Sequence, residues 1–234
     1  MNPLATIGGT NLRVVPWRTD QNIAQIGPAP GRQPTVTAVR DCLDRLDAMG
    51  YDDVVTPALH VEERGVFEAC GFGVRAELYL LGRSLTDLPA VSRRRLRRPH
   101  RSEWPRMVEI DHAAFPPFWR FERTGIDDAL RATPSSRARV AVAPDGGPVG
   151  YAITGRAGPR GYLQRLAVLP EQQGKGFGRE LVMDALSWMA ARGAHDAVVN
   201  TQTDNSRALE LYAQIGFRRE PEGLLVLGRH LGAG

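Results

Sequence analysis

The amino-acid sequence predicts an α/β protein in which helices and strands alternate. Three observations support this prediction. Apolar residues recur at helical spacing in several stretches, short apolar runs are separated by turn residues, and the order helix, strand, helix, strand occurs twice. The chain has 234 residues, enough for one large domain or two small ones. Its 42% hydrophobic and 24% charged content are ordinary for a soluble globular protein.

Composition indicates the cellular location, the state of the cysteines and the charge of suitable partners. No apolar run approaches the ~20 residues of a membrane helix, and the first ten residues lack the pattern of a signal peptide, so we expect a cytoplasmic protein without a membrane partner. The two cysteines, Cys42 and Cys70, predict buried reduced thiols rather than a disulfide framework. A net charge of +4 suits acidic partners, including the phosphates of a nucleotide-like cofactor.

An internal repeat organises the chain. Residues 36–85 and 182–231 align with short indels, and each contains a helix ended by glycine, a strand, a second helix, a Gly-Phe pair and a last strand. The matched segments are Met49-Gly50 with Arg192-Gly193, Asp53–Val55 with Ala197–Val199, Val66–Phe72 with Leu211–Phe217, and Leu81–Leu85 with Leu227–Leu231.

The repeat places a domain boundary near Thr86 to Ser92. Residues 1–90 would form a truncated, degenerate half domain, and residues 91–234 would form a complete domain that begins with a strand near Arg94 to Pro99. Because half a unit cannot close a core alone, we expect the first part to pack against the second.

The elements between the two copies follow from turn and periodicity signals. Turn residues from Pro144 to Pro148 predict a hairpin, and Pro170 ends a further strand. The predicted elements are helices at 103–114 and 125–132, hairpin strands at 139–142 and 149–153, and a strand at 161–169.

A glycine-rich loop follows that last strand and precedes an amphipathic helix. Backbone N–H groups are unpaired at a helix N-terminus, and the helix dipole adds about half a positive charge there, so anions bind at such places. Glycines at 174, 176 and 178 let a diphosphate approach the backbone, while Lys175 and Arg179 add charge. A plain strand-to-helix turn explains the glycines equally well. The spacing fits neither a Walker A loop nor a dinucleotide fingerprint.

The stretch from Leu163 to Phe217 resembles the acetyl-CoA-binding core of the GNAT superfamily of N-acetyltransferases. That family has the pattern Arg/Gln-x-x-Gly-x-Gly/Ala, which stands here as Gln173-x-x-Gly176-x-Gly178, followed by Asn205 and by Tyr212 with Gly216-Phe217. The resemblance implies an α/β fold with a mixed β-sheet that is flanked by helices and splays beside the cofactor. It also implies direct transfer from the thioester of acetyl-CoA, or another short acyl-CoA, to an amine. The N-terminal part would then resemble the degenerate half of a tandem GNAT protein.

The resemblance also implies the site residues. Tyr212 matches the general acid that reprotonates the departing thiolate, and a phenol is a plausible donor if it reaches the sulfur. A core aromatic is the structural alternative for Tyr212, and a helix N-cap is the alternative for Asn205. The implied cofactor-binding residues are Leu166, Ala167, Val168, Gln173, Gly174, Lys175, Gly176, Phe177, Gly178, Arg179, Asn205, Ala208 and Tyr212.

The pattern is incomplete in two places. Many family members carry a glutamate on the strand before the loop as the base, but residues 161–165 include no carboxylate. Either Glu109, Asp111 or Glu122 reaches the site from neighbouring helices, or ordered water serves as the base; each of the three carboxylates reads more simply as a solvated helix residue. In the N-terminal copy Phe67 takes the place of Tyr212, His60 falls near the place of Asn205, and the loop is missing, so that copy should be catalytically silent.

The acceptor and the remaining partners are less determined. Residues 114–119 resemble the aromatic acceptor loop of ribosomal-protein alanine N-acetyltransferases, which implies a peptide or protein N-terminus as acceptor, while a small-molecule amine and a core-capping role for the aromatics stay open. The arginine-rich run 93–101 reads as a solvated linker and edge strand rather than a nucleic-acid contact. No metal-ligand spacing occurs. The competing hypothesis is an acyl-CoA-binding regulatory or scaffold protein with weak catalysis.

Overall fold

The computed structural model describes residues 9, 11–17, 20–88, 95–144 and 146–232. Their contacts define two compact units. The first draws on residues 1–80, 200–204 and 221–234, and the second on residues 81–199 and 205–220. In this described part of the chain, no helix is long and apolar enough to cross a membrane.

The described residues contain twelve strands and six helices. The strands are β1 (Leu12–Trp17), β2 (Asp20–Pro28), β3 (Asp53–Val55), β4 (Leu59–His60), β5 (Gly73–Ser84), β6 (Leu96–Arg97), β7 (Ser135–Val142), β8 (Pro148–Ala157), β9 (Arg160–Val168), β10 (Asp196–Gln202), β11 (Arg218–Arg219) and β12 (Leu224–His230). The helices are α1 (Val36–Ala48), α2 (Gly65–Glu68), α3 (Trp104–Ala114), α4 (Arg123–Arg131), α5 (Phe177–Ala190) and α6 (Ser206–Ile215). Single 3₁₀ turns lie at Val61–Glu63, Arg101–Glu103, Pro117–Trp119 and Pro170–Gln172.

The first unit is built on the strand order β1–β2–β3–β12–β5, with β4 also paired to β12. The β2–β3 pair is parallel, and the other pairs are antiparallel. Its hydrophobic core contains residues of β1, β2 and α1, together with Leu227 and Leu231 near the end of the chain. The buried Cys42 and Cys70 belong to this core, and both are free thiols.

Two features of the first unit were not predicted. The β1–β2 hairpin was missed because it lies before the repeat that organised the sequence reading. The last strand, β12, was placed with residues 91–234, but it pairs with β3, β4 and β5 in the first unit. Strand pairing joins segments remote in sequence, so the observed units differ here from a division at residue 90. Part of the expected boundary, residues 89–92, lies outside the described residues.

The second unit carries the strand order β5–β10–β9–β8–β7–β6, to which β5 and β10 contribute residues 81–84 and 196–199. The β8–β9, β7–β8 and β6–β7 pairs are antiparallel, whereas β9 and β10 are parallel. Helix α5 packs on β8 and β9, and a Cβ atom at Gly161 would overlap the side chain of Met189. The predicted hairpin, the strand after it and the helices of residues 103–114 and 125–132 are all present in the second unit.

The two units share local features at the matched positions of the repeat. Gly50 and Gly193, which follow the first helix of each copy, have φ of 81° and 82°. Phe67 and Phe72 form an edge-to-face ring pair with centroids 5.6 Å apart, and Tyr212 and Phe217 form a pair at the same distance. In the N-terminal copy the second helix, α2, is only one turn long.

Candidate functional site

The predicted glycine-rich loop connects β9 to α5 through one 3₁₀ turn. Gly174 and Gly176 have φ of 79° and 86°, a left-handed conformation that side-chain-bearing residues rarely adopt. Gly176 is the N-cap of α5, and therefore no side chain caps the first turn of this helix. The glycines at 174 and 176 are thus required by the backbone path itself.

Backbone donors are open along this loop. Among the described residues, none accepts a hydrogen bond from the N–H groups of residues 174–179, and the first helical bond is donated by Glu180 to the Gly176 carbonyl at 3.0 Å. The matching helix of the first unit differs, because the Thr35 hydroxyl accepts from the Ala38 N–H at 3.2 Å and caps α1. Of the two helices, α5 therefore offers the N-terminus suited to an anion.

Close packing at Gly178 joins the loop to α6. A Cβ atom there would lie 3.3 Å from Leu211 Cδ2 and 3.9 Å from Val168 Cγ2. The absence of a side chain at residue 178 therefore lets α6 and the end of β9 approach the first turn of α5. This approach brings together the three segments that the sequence had assigned to one site.

Gln173 links the same three segments through its side-chain amide. Its Nε2 donates to the Val168 carbonyl at 3.0 Å, and its Oε1 accepts from the Arg207 guanidinium on α6. The predicted residue Gln173 therefore orients the loop and also holds an arginine beside it. The Val168 carbonyl keeps a second lone pair for another donor.

Positive charge surrounds the loop. Lys175 Nζ lies 3.2 Å from Gln172 Oε1, and Arg207 is held by Gln173. Burial lowers the pKa of Arg83, and the neighbouring Arg179 lowers it further. Arg83 and Arg179 therefore repel each other, and an anion bound between or beside them relieves this repulsion.

Arg95, from the arginine-rich run, is fixed against the loop instead of being solvated. Its Nε donates to Glu180 Oε1 at 3.0 Å, its guanidinium carbon lies 4.1 Å from the centre of the Phe177 ring, and its Nη2 lies 3.5 Å from the Lys175 carbonyl oxygen. Arg97 is likewise paired, with Glu103 at 2.7 Å. The expected edge strand is present, because β6 (Leu96–Arg97) ends the strand order, but Arg95 and Arg97 are held in ion pairs rather than lying in a solvated linker. Arg93 and Arg94 lie outside the described residues.

Strand β9 has an open backbone edge beside the loop. Its pairing with β10 covers only Arg160 to Tyr162, whereas its pairing with β8 continues to Val168. This opening is the predicted splay of the sheet. Residues 166–168, which the sequence assigned to the cofactor, lie on this edge; Ala167 and Val168 are buried and Leu166 is half-buried.

Tyr212 lies on α6 next to Leu211, the residue in contact with Gly178. Its side chain is buried, and burial raises the pKa of its phenol, while the charge of Arg165 opposes that rise. Among the described residues, the Tyr212 hydroxyl has no hydrogen-bond partner. Its oxygen is also not among the side-chain polar atoms that are buried without a partner. The phenol is thus protonated, close to a cation and available for a further hydrogen bond.

Asn205 has the structural role that was left open for it. Its Oδ1 accepts from the Ala208 N–H at 3.2 Å, so it caps α6 and occupies the backbone donor of Ala208. The proposed cofactor contacts of both residues remain predictions. A cap of this kind fixes the first turn of α6, from which Arg207 reaches the loop.

A buried ion pair that the sequence analysis missed joins β9 to α3. Arg165 donates to both carboxylate oxygens of Asp111 at 2.7 Å, and Tyr151 donates its hydroxyl to Asp111 Oδ2 at 2.5 Å. Asp111 is fully buried, and burial together with this carboxylate raises the pKa of Tyr151. One signal was visible in the sequence: an arginine inside an apolar strand needs a buried partner.

The same guanidinium orders the aromatic segment from Phe115 to Phe121. Its carbon lies 3.5 Å and 3.9 Å from the ring centres of Phe115 and Phe121, and its Nη2 donates to the Trp119 carbonyl at 2.7 Å. A register shift between Ile153 and Thr154 leaves Gln164 as an extra residue in β9. Such a bulge re-aims the neighbouring side chains, here that of Arg165.

The three carboxylates considered as bases have different surroundings. Asp111 is not a solvated helix residue, because all its hydrogen bonds are internal and hold Arg165, Tyr151 and the Phe121 N–H. Glu109 is exposed and pairs with Arg106 at 2.8 Å. Glu122 lies 3.2 Å from His112 Nε2. Asp111 is thereby excluded as a free base, and the base stays unassigned.

One further cluster of polar groups lies in the first unit. His60, Glu62 and Glu222 place their potential metal-ligand atoms within 4.8 Å of one another. The long separation of Glu222 in sequence hid this cluster from the spacing analysis. All three residues are exposed, and exposed acidic groups commonly gather without a metal, so no metal function follows.

Comparison with known proteins gives a family for the central part of the chain. The sequence profile described as "Acetyltransferase (GNAT) family" matches residues 104–217. These residues contain α3 to α6, the loop and the Arg165–Asp111 pair.

Curated relatives match a shorter segment. N-alpha-acetyltransferase 30 of Schizosaccharomyces pombe is 38% identical over 60 residues, which are 26% of this chain and 40% of that protein. Mycothiol acetyltransferase of Arthrobacter sp. (strain FB24) is 36% identical over 59 residues, 25% of this chain and 18% of that protein. The chain thus aligns with less than half the length of either relative.

A solved structure resembles nearly the whole chain. The tandem GNAT protein from the clavulanic acid biosynthesis pathway superposes with a TM-score of 0.64 over 95% of this chain and 79% of that chain, at 14% identity. At this identity the likeness shows the fold alone. The predicted fold class, a mixed splayed sheet flanked by helices, is confirmed.

Proposed function

Residues 104–217 of this chain form an acetyltransferase domain of the GNAT family, and from that premise we propose that the protein transfers an acetyl group from acetyl-CoA to a primary amine. The observation that carries the proposal is the row of open N–H groups from residue 174 to residue 179, next to the phenol-bearing helix α6. An anion site beside a buried proton donor is what thioester aminolysis needs from a protein.

The residues at the loop fit the chemistry of the coenzyme. A diphosphate is a bidentate anion that matches several aligned N–H donors at a helix N-terminus. Lys175, Arg179 and Arg207 supply neutralising charge around those donors. We assign the open edge of β9 from Leu166 to Val168 to the extended amide-bearing arm, because unpaired strand groups form hydrogen bonds with an added extended chain.

Tyr212 is proposed as the general acid. Bound acetyl-CoA supplies the acyl group as a thioester. The neutral amine forms the C–N bond, the C–S bond breaks, Tyr212 gives its proton to the departing sulfur, and the proton that the attached amine loses passes to solvent. The raised pKa keeps the phenol protonated at neutral pH, and the positive charge of Arg165 favours the phenolate that the transfer leaves behind. The phenol is then reprotonated from solvent through its remaining hydrogen-bond capacity.

The acceptor is proposed to be a primary amine that enters beside the aromatic segment from Phe115 to Phe121. The relatives named as N-alpha-acetyltransferase and mycothiol acetyltransferase support peptide and small-molecule amines alike. We favour a peptide or protein α-amine, because the segment presents aromatic rings, held by Arg165, to a flat or extended acceptor. The N-terminal copy is proposed to be catalytically silent, since Phe67 has no proton to donate and Thr35 caps the matching helix.

The test is acetyl-CoA turnover with a panel of short peptides bearing a free α-amine and of small-molecule amines. We expect Tyr212→Phe to lower kcat by about a hundredfold, the scale of one general acid, with acetyl-CoA affinity unchanged. Tyr51→Phe, which alters a tyrosine packed on the core of the first unit, serves as the matched control and should leave turnover intact. Tight acetyl-CoA binding without turnover on any amine would instead favour a regulatory acyl-CoA-binding protein.

A further inference from the structure

A second binding site is suggested by a cavity in the second unit, away from the glycine-rich loop. Its volume is about 620 Å³, within the range of small-molecule sites. It reaches α5 at Trp188, eleven residues after Phe177, which corresponds to about 16 Å along the helix axis. Its lining comprises Arg98, Pro99, Trp104, Leu130, Ser135, Ser136, Arg137, Ala138, Arg139, Ser187, Trp188, Ala191 and Arg192.

The cavity carries an excess of positive charge. Four of its lining residues are arginines, and none is acidic. The buried Asp184 pairs with two of them, because its Oδ2 lies 2.5 Å from Arg137 Nη2 and 3.6 Å from Arg139 Nε. One carboxylate thus faces two guanidinium groups, while Arg98 and Arg192 add two exposed cations at the rim. A concave surface of one sign concentrates the potential and attracts anions.

Two tryptophans provide flat apolar surface inside this basic cavity. The Trp188 ring centre lies 5.1 Å from the guanidinium carbon of Arg137 and 4.8 Å from that of Arg192. Trp104 has Arg123 at 4.2 Å from its ring centre. Aromatic rings beside arginines bind a planar heterocycle by stacking while the guanidinium groups hold a phosphate.

The position of Arg137 is set before any ligand arrives. Its Nη2 donates to the backbone carbonyl of Asp184 at 2.7 Å as well as to the carboxylate, so two bonds fix the guanidinium. Arginines held in this way lose little conformational entropy when a ligand binds.

We propose that this cavity binds a small ligand that joins an aromatic heterocycle to a phosphate, of which a nucleoside monophosphate is the simplest case. The arginines bind the phosphate through charge-assisted hydrogen bonds, and the indole rings stack against the heterocycle. The site also gives a role to Arg98, a described member of the arginine-rich run that pairs with neither the loop nor Glu103. This inference does not depend on the proposed acetyl transfer.

Calorimetric titration of the full chain with AMP, with inorganic phosphate and with adenosine tests the proposal. We expect AMP to bind at least about tenfold more tightly than either fragment, because charge-assisted bonds and stacking act together. The double variant Arg98→Ala/Arg192→Ala should weaken AMP binding at least about tenfold, since it removes the two rim cations and leaves the Asp184 pairs in place. Arg64→Ala, an exposed arginine of the first unit, is the control and should bind AMP as the parent does.

Three outcomes would overturn the site. AMP binding no tighter than that of phosphate or adenosine would exclude joint recognition of the two parts. Equal AMP affinity in the double variant, together with loss in Gly176→Ala, would place the nucleotide at the loop. A short RNA that binds far more tightly than AMP, with a salt dependence of several released counterions, would indicate a nucleic-acid surface instead.

Discussion

Arg165 and Asp111 form a bidentate ion pair, 2.7 Å at each contact, that joins the middle of the sheet to helix α3. Both residues are buried, and the same guanidinium contacts the Phe115 and Phe121 rings. The pair therefore links the strand before the glycine-rich loop to the aromatic segment that we propose contacts the acceptor. Its integrity should matter both for folding and for acceptor binding.

Removing one partner of this pair should destabilise the protein strongly. Asp111→Ala leaves the Arg165 charge buried without a counter-charge, and we expect the free energy of unfolding to fall by about 3–5 kcal/mol. Urea denaturation followed by circular dichroism measures the change. Arg131→Ala, which breaks the exposed pair with Asp128, should cost no more than about 1 kcal/mol. Similar losses in the two variants would contradict the assignment.

A milder variant separates positioning from stability. Arg165→Lys keeps the charge but cannot form two parallel bonds to Asp111 or stack between two rings. We expect KM for the amine to rise about tenfold or more, on the scale of one charge-assisted bond, while acetyl-CoA affinity is unchanged. Steady-state kinetics with each substrate varied in turn would show this split. An equal effect on both substrates would indicate general distortion of the domain.

The left-handed glycines allow a test of the loop by matched substitutions. Gly176 and Gly50 have φ of 86° and 81°, and alanine at either position is strained by about 1–2 kcal/mol. We expect both variants to lose similar stability, yet only Gly176→Ala should weaken acetyl-CoA binding, measured by calorimetry. Gly50→Ala is the control because a Cβ atom there meets nothing within 4 Å. Unchanged affinity in Gly176→Ala would remove the loop from the coenzyme site.

The raised pKa of Tyr212 has a consequence for the pH profile of catalysis. Burial raises this pKa above the ordinary value of about 10, so the acid form persists to higher pH than a solvated phenol allows. We therefore expect kcat/KM to show no fall due to Tyr212 below pH of about 10. A decline between pH 8 and about 10 that disappears in Tyr212→Phe would disprove this expectation.

Burial of the Cys42 thiol predicts that the protein loses stability at alkaline pH. Burial raises the pKa of its thiol to about 11, and the nearby Arg45 opposes that rise. The unfolded chain ionises at lower pH, so the stabilising difference is complete below about pH 8.5 and is lost as the pH rises towards the folded value. Wild type should lose up to about 1.4 kcal/mol per pH unit more than Cys42→Ala in that window, measured by urea denaturation. Parallel pH curves would argue against a buried neutral thiol.

Much of the second unit could be predicted because its signals are local in sequence. Turn residues around Pro144 to Pro148 define the hairpin, and glycines at 174 and 176 stand where the backbone adopts positive φ. The family pattern of Gln173, Gly176 and Gly178 was readable for the same reason, since the motif is continuous. The family was correctly predicted from these residues, and the cofactor and catalytic roles remain predictions.

The sequence by itself determined the β7–β8 hairpin, the glycine-rich loop with β9 and α5 on either side of it, and the family resemblance that the profile match to residues 104–217 supports, because each depends on residues close together in the chain. Only the tertiary structure decided that Asp111 is the partner of Arg165, that Arg95 holds the loop, and that β12 completes the first unit. These outcomes depend on which distant segments pack together, and burial then forces each charge to find a partner. Composition and spacing determine none of these three outcomes, because all of them follow from the packing of the whole chain.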